Sequence, residues 1–264
     1  MVRTEPGQEN PIFQDALWVL VPVVALAALA HGALGFGFPI ISTPVIALFS
    51  DMRTAILVTV LPNLVINVVS IARGGQWRAS LGRYWPMAVW VLLGTVMGTR
   101  LLWLADPEVL KLVLAGMILL YLLQDRARLM DWGLILLYPK LSGLVLGFLA
   151  GLLSGAVNVA LPPLVVYFVA LQLEPLAMTQ ILNLCFLVGK ATQAGSFALG
   201  GYFDREVLGL SLLLSGVSIG MLAVGMRLQQ RIEPRWYRRL VMIALGVMAL
   251  LLVGQSGLSI MKRA

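Results

Sequence analysis

The stretch His31-Gly-Ala-Leu-Gly-Phe-Gly-Phe-Pro-Ile-Ile-Ser-Thr-Pro44 lies inside 35 residues, Ala16 to Ser50, that contain no Asp, Glu, Lys or Arg. As one helix this run would be roughly 52 Å long, whereas the hydrocarbon core of a bilayer is about 30 Å thick. Two full spans of about 20 residues each, plus a turn, would need a longer run. Its glycines loosen the backbone and its prolines remove hydrogen-bond donors. The sequence therefore predicts two short helices that meet at a break.

A second uncharged run repeats this pattern in the other half of the chain. Leu141 to Leu173 is 33 residues long and is interrupted by glycines, by Asn158 and by Pro162-Pro163. Open backbone at membrane depth persists only where it is buried in protein or lines a polar cavity. Two broken hydrophobic runs in corresponding halves of a chain indicate the binding site of a transporter.

The composition places the whole chain in a membrane. Of its 264 residues 60% are hydrophobic and 12% are charged, and the mean hydropathy is +0.93. The net charge of +7 comes from basic residues in short loops, which is typical of membrane orientation and argues against a nucleic-acid partner. A single cysteine and a single histidine offer no metal cluster, and we expect no cofactor.

We predict an all-α polytopic membrane protein built from two inverted repeats of about five hydrophobic segments each, with 8–10 membrane segments in all. Broken or short helices stand at the start of each repeat. The predicted divisions are a polar N-terminal tail (1–15), a first repeat (16–123), a connecting loop (124–140) and a second repeat (141–261). An odd number of segments in each half inverts the second copy relative to the first.

Lys190 is the charged side chain that the sequence places deepest in an apolar segment. An ammonium at the bilayer centre costs on the order of 3 kcal/mol, and no Asp or Glu lies within a predicted segment core. Two interpretations stay open: an anionic substrate is its partner, or Lys190 caps the carbonyls of a broken helix. Gln193 lies nearly one turn further along the same face.

Amide side chains accompany Lys190 in the predicted site. Asn63 and Asn67 are four residues apart on one helix face, where their amides can bind an oxyanion or join helices. Ser42, Thr43 and Asn158 lie near the starts of the second short helices, whose first turns we expect to contain Pro44 and Pro163. Helix N-termini at this depth present N–H groups and a positive dipole to an anion.

His31 is the remaining candidate, at the first break. A histidine there can couple proton movement to transport, or it can be an interior group with ordinary hydrogen bonds.

Three motifs together resemble the sulfite exporter TauE/SafE family of membrane transporters. They are Gly35-Phe-Gly-Phe-Pro-Ile-Ile-Ser-Thr-Pro44, Pro62-Asn63 and Gly147-Phe-Leu-Ala-Gly-Leu-Leu-Ser-Gly155. The resemblance implies export of sulfite, organosulfonates such as sulfoacetate, or related anions across a bacterial inner membrane. The implied partners are a small anionic substrate and the lipid bilayer, and a homodimer is one alternative for the assembly. Second halves in that family are often glycine-rich where this chain has Asn158, so Asn158 is expected to supply an amide there.

Two other functions compete with a secondary transporter. A passive anion channel shares most of these features. An intramembrane hydrolase would use Ser154 as its nucleophile, but it needs a base, and only His31 and Lys190 are candidates.

The distribution of basic residues predicts the topology. Eleven Lys and Arg residues fall in loops on one predicted side and seven on the other, which also carries both termini, so the first side is cytoplasmic. Cysteines introduced at Gln76 and at the C-terminus should therefore react with impermeant thiol reagents from opposite sides. Labelling from the same side would contradict this topology.

Overall fold

The protein is helical throughout the residues that the computed structural model describes, which are 11–73, 77–123, 133–229 and 234–261. The helices are α1 (Pro11–Leu34), α2 (Phe38–Phe49), α3 (Met52–Arg73), α4 (Trp77–Leu104), α5 (Pro107–Leu123), α6 (Gly133–Leu137), α7 (Pro139–Val157), α8 (Leu161–Ala170), α9 (Pro175–Leu199), α10 (Arg205–Leu228) and α11 (Pro234–Met261). The predicted all-α class is confirmed.

Five helices within these ranges contain a segment long and apolar enough to cross a membrane. The segments are Leu17–Leu34, Met52–Arg73, Gly82–Leu104, Pro139–Val157 and Arg205–Leu228. In contrast, α2 and α8 have 12 and 10 residues, which rise only about 18 and 15 Å. Many large apolar side chains on the outside of the molecule are exposed, as expected of surfaces that face lipid. The protein is a polytopic membrane protein in which α2 and α8 are too short to cross the hydrocarbon core.

The element bounds differ in part from the sequence-based divisions. Helix α1 already begins at Pro11, so it includes the end of the predicted tail, while residues 1–10 lie outside the described ranges. The predicted connecting loop 124–140 contains α6 and the first two residues of α7, while residues 124–132 lie outside the described ranges.

The prediction that Pro44 lies in the first turn of α2 is wrong. Helix α2 begins directly after Gly37, and Pro39 rather than Pro44 lies in its first turn. Proline is favoured there because the first N–H groups of a helix have no partner within the helix. The corresponding prediction for α8 is confirmed, since Pro162 and Pro163 both lie in its first turn.

The packing of the helices has an internal two-fold pattern. The counterparts in the two halves are α1 and α7, α2 and α8, α3 and α9, α4 and α10, and α5 and α11. Helix α1 packs on α10, and its counterpart α7 packs on α4; likewise α3 packs on α10, and α9 packs on α4. The pairs α3–α9 and α5–α11 pack on their own counterparts. Each half is therefore interleaved with the other.

The second half is inverted relative to the first, as predicted. Near the start of α5, Lys111 contacts Gln255 close to the end of α11. Near the end of α5, Leu122 packs against Gly246 in the first part of α11. Counterpart helices that are antiparallel are the signature of an inverted repeat.

Glycines allow the two longest cross-half contacts to be close. A Cβ atom added to Gly151 of α7 would lie 2.1 Å from the main-chain oxygen of Val91 in α4. In the corresponding contact between α1 and α10, a Cβ on Gly225 would lie 2.2 Å from the oxygen of Leu29. Small residues bring backbones together in this way in membranes, where association depends on close packing rather than on hydrophobic burial.

Gly151→Ala should therefore destabilise the protein. Because the new methyl group meets main-chain atoms that cannot rotate away, we expect a loss of about 1–3 kcal/mol, measured as a lower melting temperature in detergent. Gly216→Ala on α10 is the matched control, since it is exposed and nothing lies within 4 Å of the added Cβ. Equal melting temperatures for the two variants would contradict the close α4–α7 contact.

Candidate functional site

The first break separates α1 from α2 and contains two left-handed glycines. Gly35 and Gly37 have φ angles of 84° and 113°, which side chains with a Cβ adopt only at a cost. The main-chain oxygen of Gly35 accepts a hydrogen bond of 2.9 Å from Asn183 Nδ2 of α9. The second half of the chain thus holds open backbone of the first half in place.

His31 lies in the last turn of α1 and connects it by hydrogen bonds to α2 and α3. Its Nδ1 accepts a hydrogen bond from the N–H of Phe38, the first residue of α2, at 3.4 Å. Its Nε2 lies 3.2 Å from the hydroxyl of Ser70 in α3. Both ring nitrogens therefore have a partner within the protein, which fits the interior role that the sequence left open.

Asn158 forms the second break, between α7 and α8. It is the left-handed C-cap of α7, with φ of 62°. Its Nδ2 donates to Thr43 Oγ1 of α2 at 2.7 Å. This buried hydrogen bond connects the second break directly to the short helix that follows the first break.

Lys190 of α9 is 2% exposed and binds the end of α7. Its Nζ donates to the main-chain oxygen of Ser154 at 3.3 Å and to Gln193 Oε1 at 2.5 Å. Gln193 in turn donates from Nε2 to the oxygen of Gly155 at 2.8 Å. The ammonium thus lies at the negative end of the α7 dipole, and an ammonium has one N–H beyond these two hydrogen bonds.

A second buried ammonium, Lys111, has a different environment. Lys111 belongs to α5 and is 5% exposed. It lies 3.4 Å from the carboxylate of Glu108, one turn earlier in α5. Lys190, in contrast, forms no salt bridge with any residue in the described ranges. The two lysines differ in whether a protein carboxylate balances their charge.

A small cavity lies between the two breaks. The space open to the centre of a water molecule is about 10 Å³, which corresponds to a single water. Its lining residues come from α2, α3, α7, α8, α9 and the two breaks: Gly37, Pro39, Ile40, Asn63, Ser154, Asn158, Val159, Ala160, Leu161, Phe186 and Lys190. The N-terminal residues of both short helices belong to this lining, so two helix dipoles contribute positive potential there.

Several buried amides around the cavity have an atom without a hydrogen-bond partner. Among the lining residues, these are Nδ2 of Asn63 and Oδ1 of Asn158. Next to the cavity, Asn67 donates to the main-chain and side-chain oxygens of Asn63, while its own Oδ1 has no partner. A buried polar atom without a partner costs about 1–3 kcal/mol, so a ligand that accepts a hydrogen bond from Asn63 Nδ2 would offset that cost.

The eight residues predicted from sequence fall into three groups. Lys190, Asn63 and Asn158 line the cavity. Thr43, Gln193 and Asn67 are each hydrogen-bonded to one of those three. Ser42 and His31 do not line it: the hydroxyl of Ser42 donates to the oxygen of Phe38 within α2, and His31 holds the first break.

Sequence analysis missed two contributors to the site. Phe186 lines the cavity one turn before Lys190, and an apolar residue in an apolar helix carries no signal. Asn183, which holds Gly35, extends the amide pattern of α9, and its position two turns before Lys190 on the same helix face could have indicated it.

Comparison with known proteins adds one finding. The family model described as Sulfite exporter TauE/SafE matches residues 20–252, which include both breaks and all eight predicted site residues. Neither a curated protein nor a solved structure matches the chain significantly.

Substitutions of Asn158 should separate its backbone role from its side-chain role. Asn158→Gly keeps the left-handed conformation and loses only the hydrogen bond to Thr43, so we expect a loss of about 1 kcal/mol. In Asn158→Ala the left-handed backbone costs about 1–2 kcal/mol more, because alanine has a Cβ atom. This variant should therefore melt at a lower temperature than the glycine variant. Identical melting temperatures for the two variants would contradict the backbone role.

Proposed function

The chain belongs to the sulfite exporter TauE/SafE family, and on that premise we propose that it is a secondary transporter that exports small sulfur-containing anions, such as sulfite or sulfoacetate, through the cavity between the two breaks. The family indicates a membrane exporter of sulfur-containing anions. The site, the choice of anion and the transport mechanism are our proposals.

The observation that carries the proposal is the positive potential around the cavity. Lys190 has no carboxylate partner in the described ranges, and the N-termini of α2 and α8 add their dipoles. The lining contains the amide of Asn63 with a free donor and no Asp or Glu. A sulfonate or sulfite oxygen would accept hydrogen bonds from these groups and balance the charge of Lys190.

The two interpretations of Lys190 are compatible in this geometry. The ammonium caps Ser154 and Gln193 with two of its N–H groups and can offer the third to an anion. The capping bonds would position it, in the same way that supporting hydrogen bonds orient a metal ligand.

We propose alternating access rather than a passive channel because the cavity is small. Its space of about 10 Å³ holds a single water, so the cavity has to widen before sulfite enters, and inverted repeats support rocking of one bundle against another. Flux that saturates with anion concentration supports the carrier, whereas flux that rises linearly supports a channel.

A hydrolase remains disfavoured. Lys190 binds the main-chain oxygen of Ser154, whereas a general base must reach the hydroxyl of its nucleophile. The family consists of transporters, which also argues against an enzyme.

The family match does not support a homodimer. We propose a bacterial inner membrane as the location of this multi-pass protein.

Lys190→Gln tests the role of the charge. Glutamine keeps an amide donor for the end of α7 but removes the positive charge, so affinity for sulfite or sulfoacetate should fall at least tenfold, as expected for loss of a charge-assisted hydrogen bond. Anion-induced thermal shift and flux into vesicles measure this loss. Lys190→Arg should retain partial transport, because the guanidinium keeps the charge but changes its shape.

Lys111→Gln is the matched control, since it also removes a buried ammonium, but one that does not line the cavity. It should leave anion affinity unchanged, even if the melting temperature falls. Unchanged anion affinity in Lys190→Gln would exclude the charge from the binding site and overturn the proposal.

A further inference from the structure

A second and much larger cavity lies between α4, α7 and α8. It has a volume of about 660 Å³, within the range of about 300–1,000 Å³ that is usual for ligand sites. Its walls include Met87 and Trp90 of α4, Leu144 of α7 and Tyr167 of α8. We refer to it as the α4–α7 groove.

Two basic side chains line this largely apolar groove. Arg83 and Lys140 both belong to its lining, and none of the described lining residues is acidic. Neither cation has a salt bridge within the described ranges. The guanidinium of Arg83 lies 5.8 Å from the ring centre of Tyr84, so an aromatic face supports one side of it. The groove thus combines positive charge with an apolar wall.

The groove lies at a membrane surface. Arg83 and Lys140 are near the starts of α4 and α7, on the side that the distribution of basic residues predicts to be cytoplasmic. Trp85 and Tyr138 beside them are 59% and 56% exposed, as in the aromatic belts at membrane–water interfaces. Large exposed apolar residues, Val89 and Leu141, continue from the groove along the same helices toward lipid.

We propose that the α4–α7 groove binds the phosphate headgroup of an anionic membrane lipid. The phosphate pairs with Arg83 and Lys140, and the acyl chains lie against the apolar wall. Basic pockets between transmembrane helices at the cytoplasmic surface suit such headgroups. A small aqueous anion would leave the Met87, Trp90 and Leu144 surfaces without a partner, which favours a lipid as the occupant.

The groove is mechanically connected to the short helix α8. Tyr167 forms part of its wall, and the Tyr167 hydroxyl donates to the main-chain oxygen of Pro139 at 3.0 Å. The opposite end of α8, at Leu161, lines the cavity between the breaks. A lipid in the groove therefore contacts both α7 and α8 at the ends remote from the breaks. The proposal stands independently of the transported substrate.

Native mass spectrometry and thermal shift with phosphatidylglycerol test this proposal on the full-length protein. Phosphatidylglycerol should bind and raise the melting temperature more than phosphatidylcholine does. The Arg83→Gln/Lys140→Gln double variant should lose about tenfold or more in phosphatidylglycerol affinity, because each basic residue near the membrane surface adds its own attraction to an anionic headgroup. Arg73→Gln/Arg227→Gln is the matched control, because it removes two exposed cations on the same predicted side, outside the groove.

Three outcomes would overturn the proposal. The first is equal lipid affinity of the groove double variant and the parent protein. The second is an equal loss of lipid affinity in the control double variant, which would show that overall surface charge rather than the groove attracts the lipid. The third is binding of water-soluble glycerol phosphate or sulfoacetate that depends on Arg83 and Lys140 while lipid binding does not, which would make the groove a site for aqueous anions. A groove variant that fails to fold is replaced by the single variants Arg83→Gln and Lys140→Gln, with the same expectations.

Discussion

The structure depends on one constraint: the main-chain groups at two helix breaks lie where lipid cannot hydrate them. The first break takes a donor from the opposite half of the chain, and the second takes its donors from α9 of its own half. Asn183 of α9 supplies the donor for Gly35, and Asn158 of the second break donates to Thr43 beyond the first. The carbonyls at the end of α7 take their donors from Lys190 and Gln193. These hydrogen bonds bring polar side chains of α2, α7 and α9 together around one small cavity.

That convergence also explains why a polar cavity forms there. The helices α2 and α8 are too short to cross the membrane, and their N-termini meet beside the ammonium of Lys190, which no described carboxylate balances. Asn63, which lines the same cavity, keeps its Nδ2 donor without a partner. Lys190 both supports the end of α7 and is the residue proposed to bind the anion, so the two roles meet in one side chain.

Much of this arrangement could be predicted from sequence because charge and glycine or proline placement act locally. The absence of charge from Ala16 to Ser50 is enough to predict a break, and the isolated charge of Lys190 is enough to place it at a polar site. Two features could not be predicted. The start of α2 depends on the left-handed Gly37, which a sequence does not distinguish from its neighbour glycines. The partners of His31 and Lys111 depend on contacts with α3 and α11, which only the packed structure determines.

The interleaving of the helices has a consequence for how the molecule can move and how it can be divided. Since α1 packs on α10 and α4 packs on α7, the glycine contacts bind each half to the other more tightly than to itself. A rigid body in this protein therefore has to contain helices from both repeats, and the sequence halves are not mechanical halves. Separate polypeptides ending at 123 and starting at 133 would each expose their closest packing surface to lipid. An ancestral single repeat could have avoided that exposure only as a pair of copies inserted in opposite orientations.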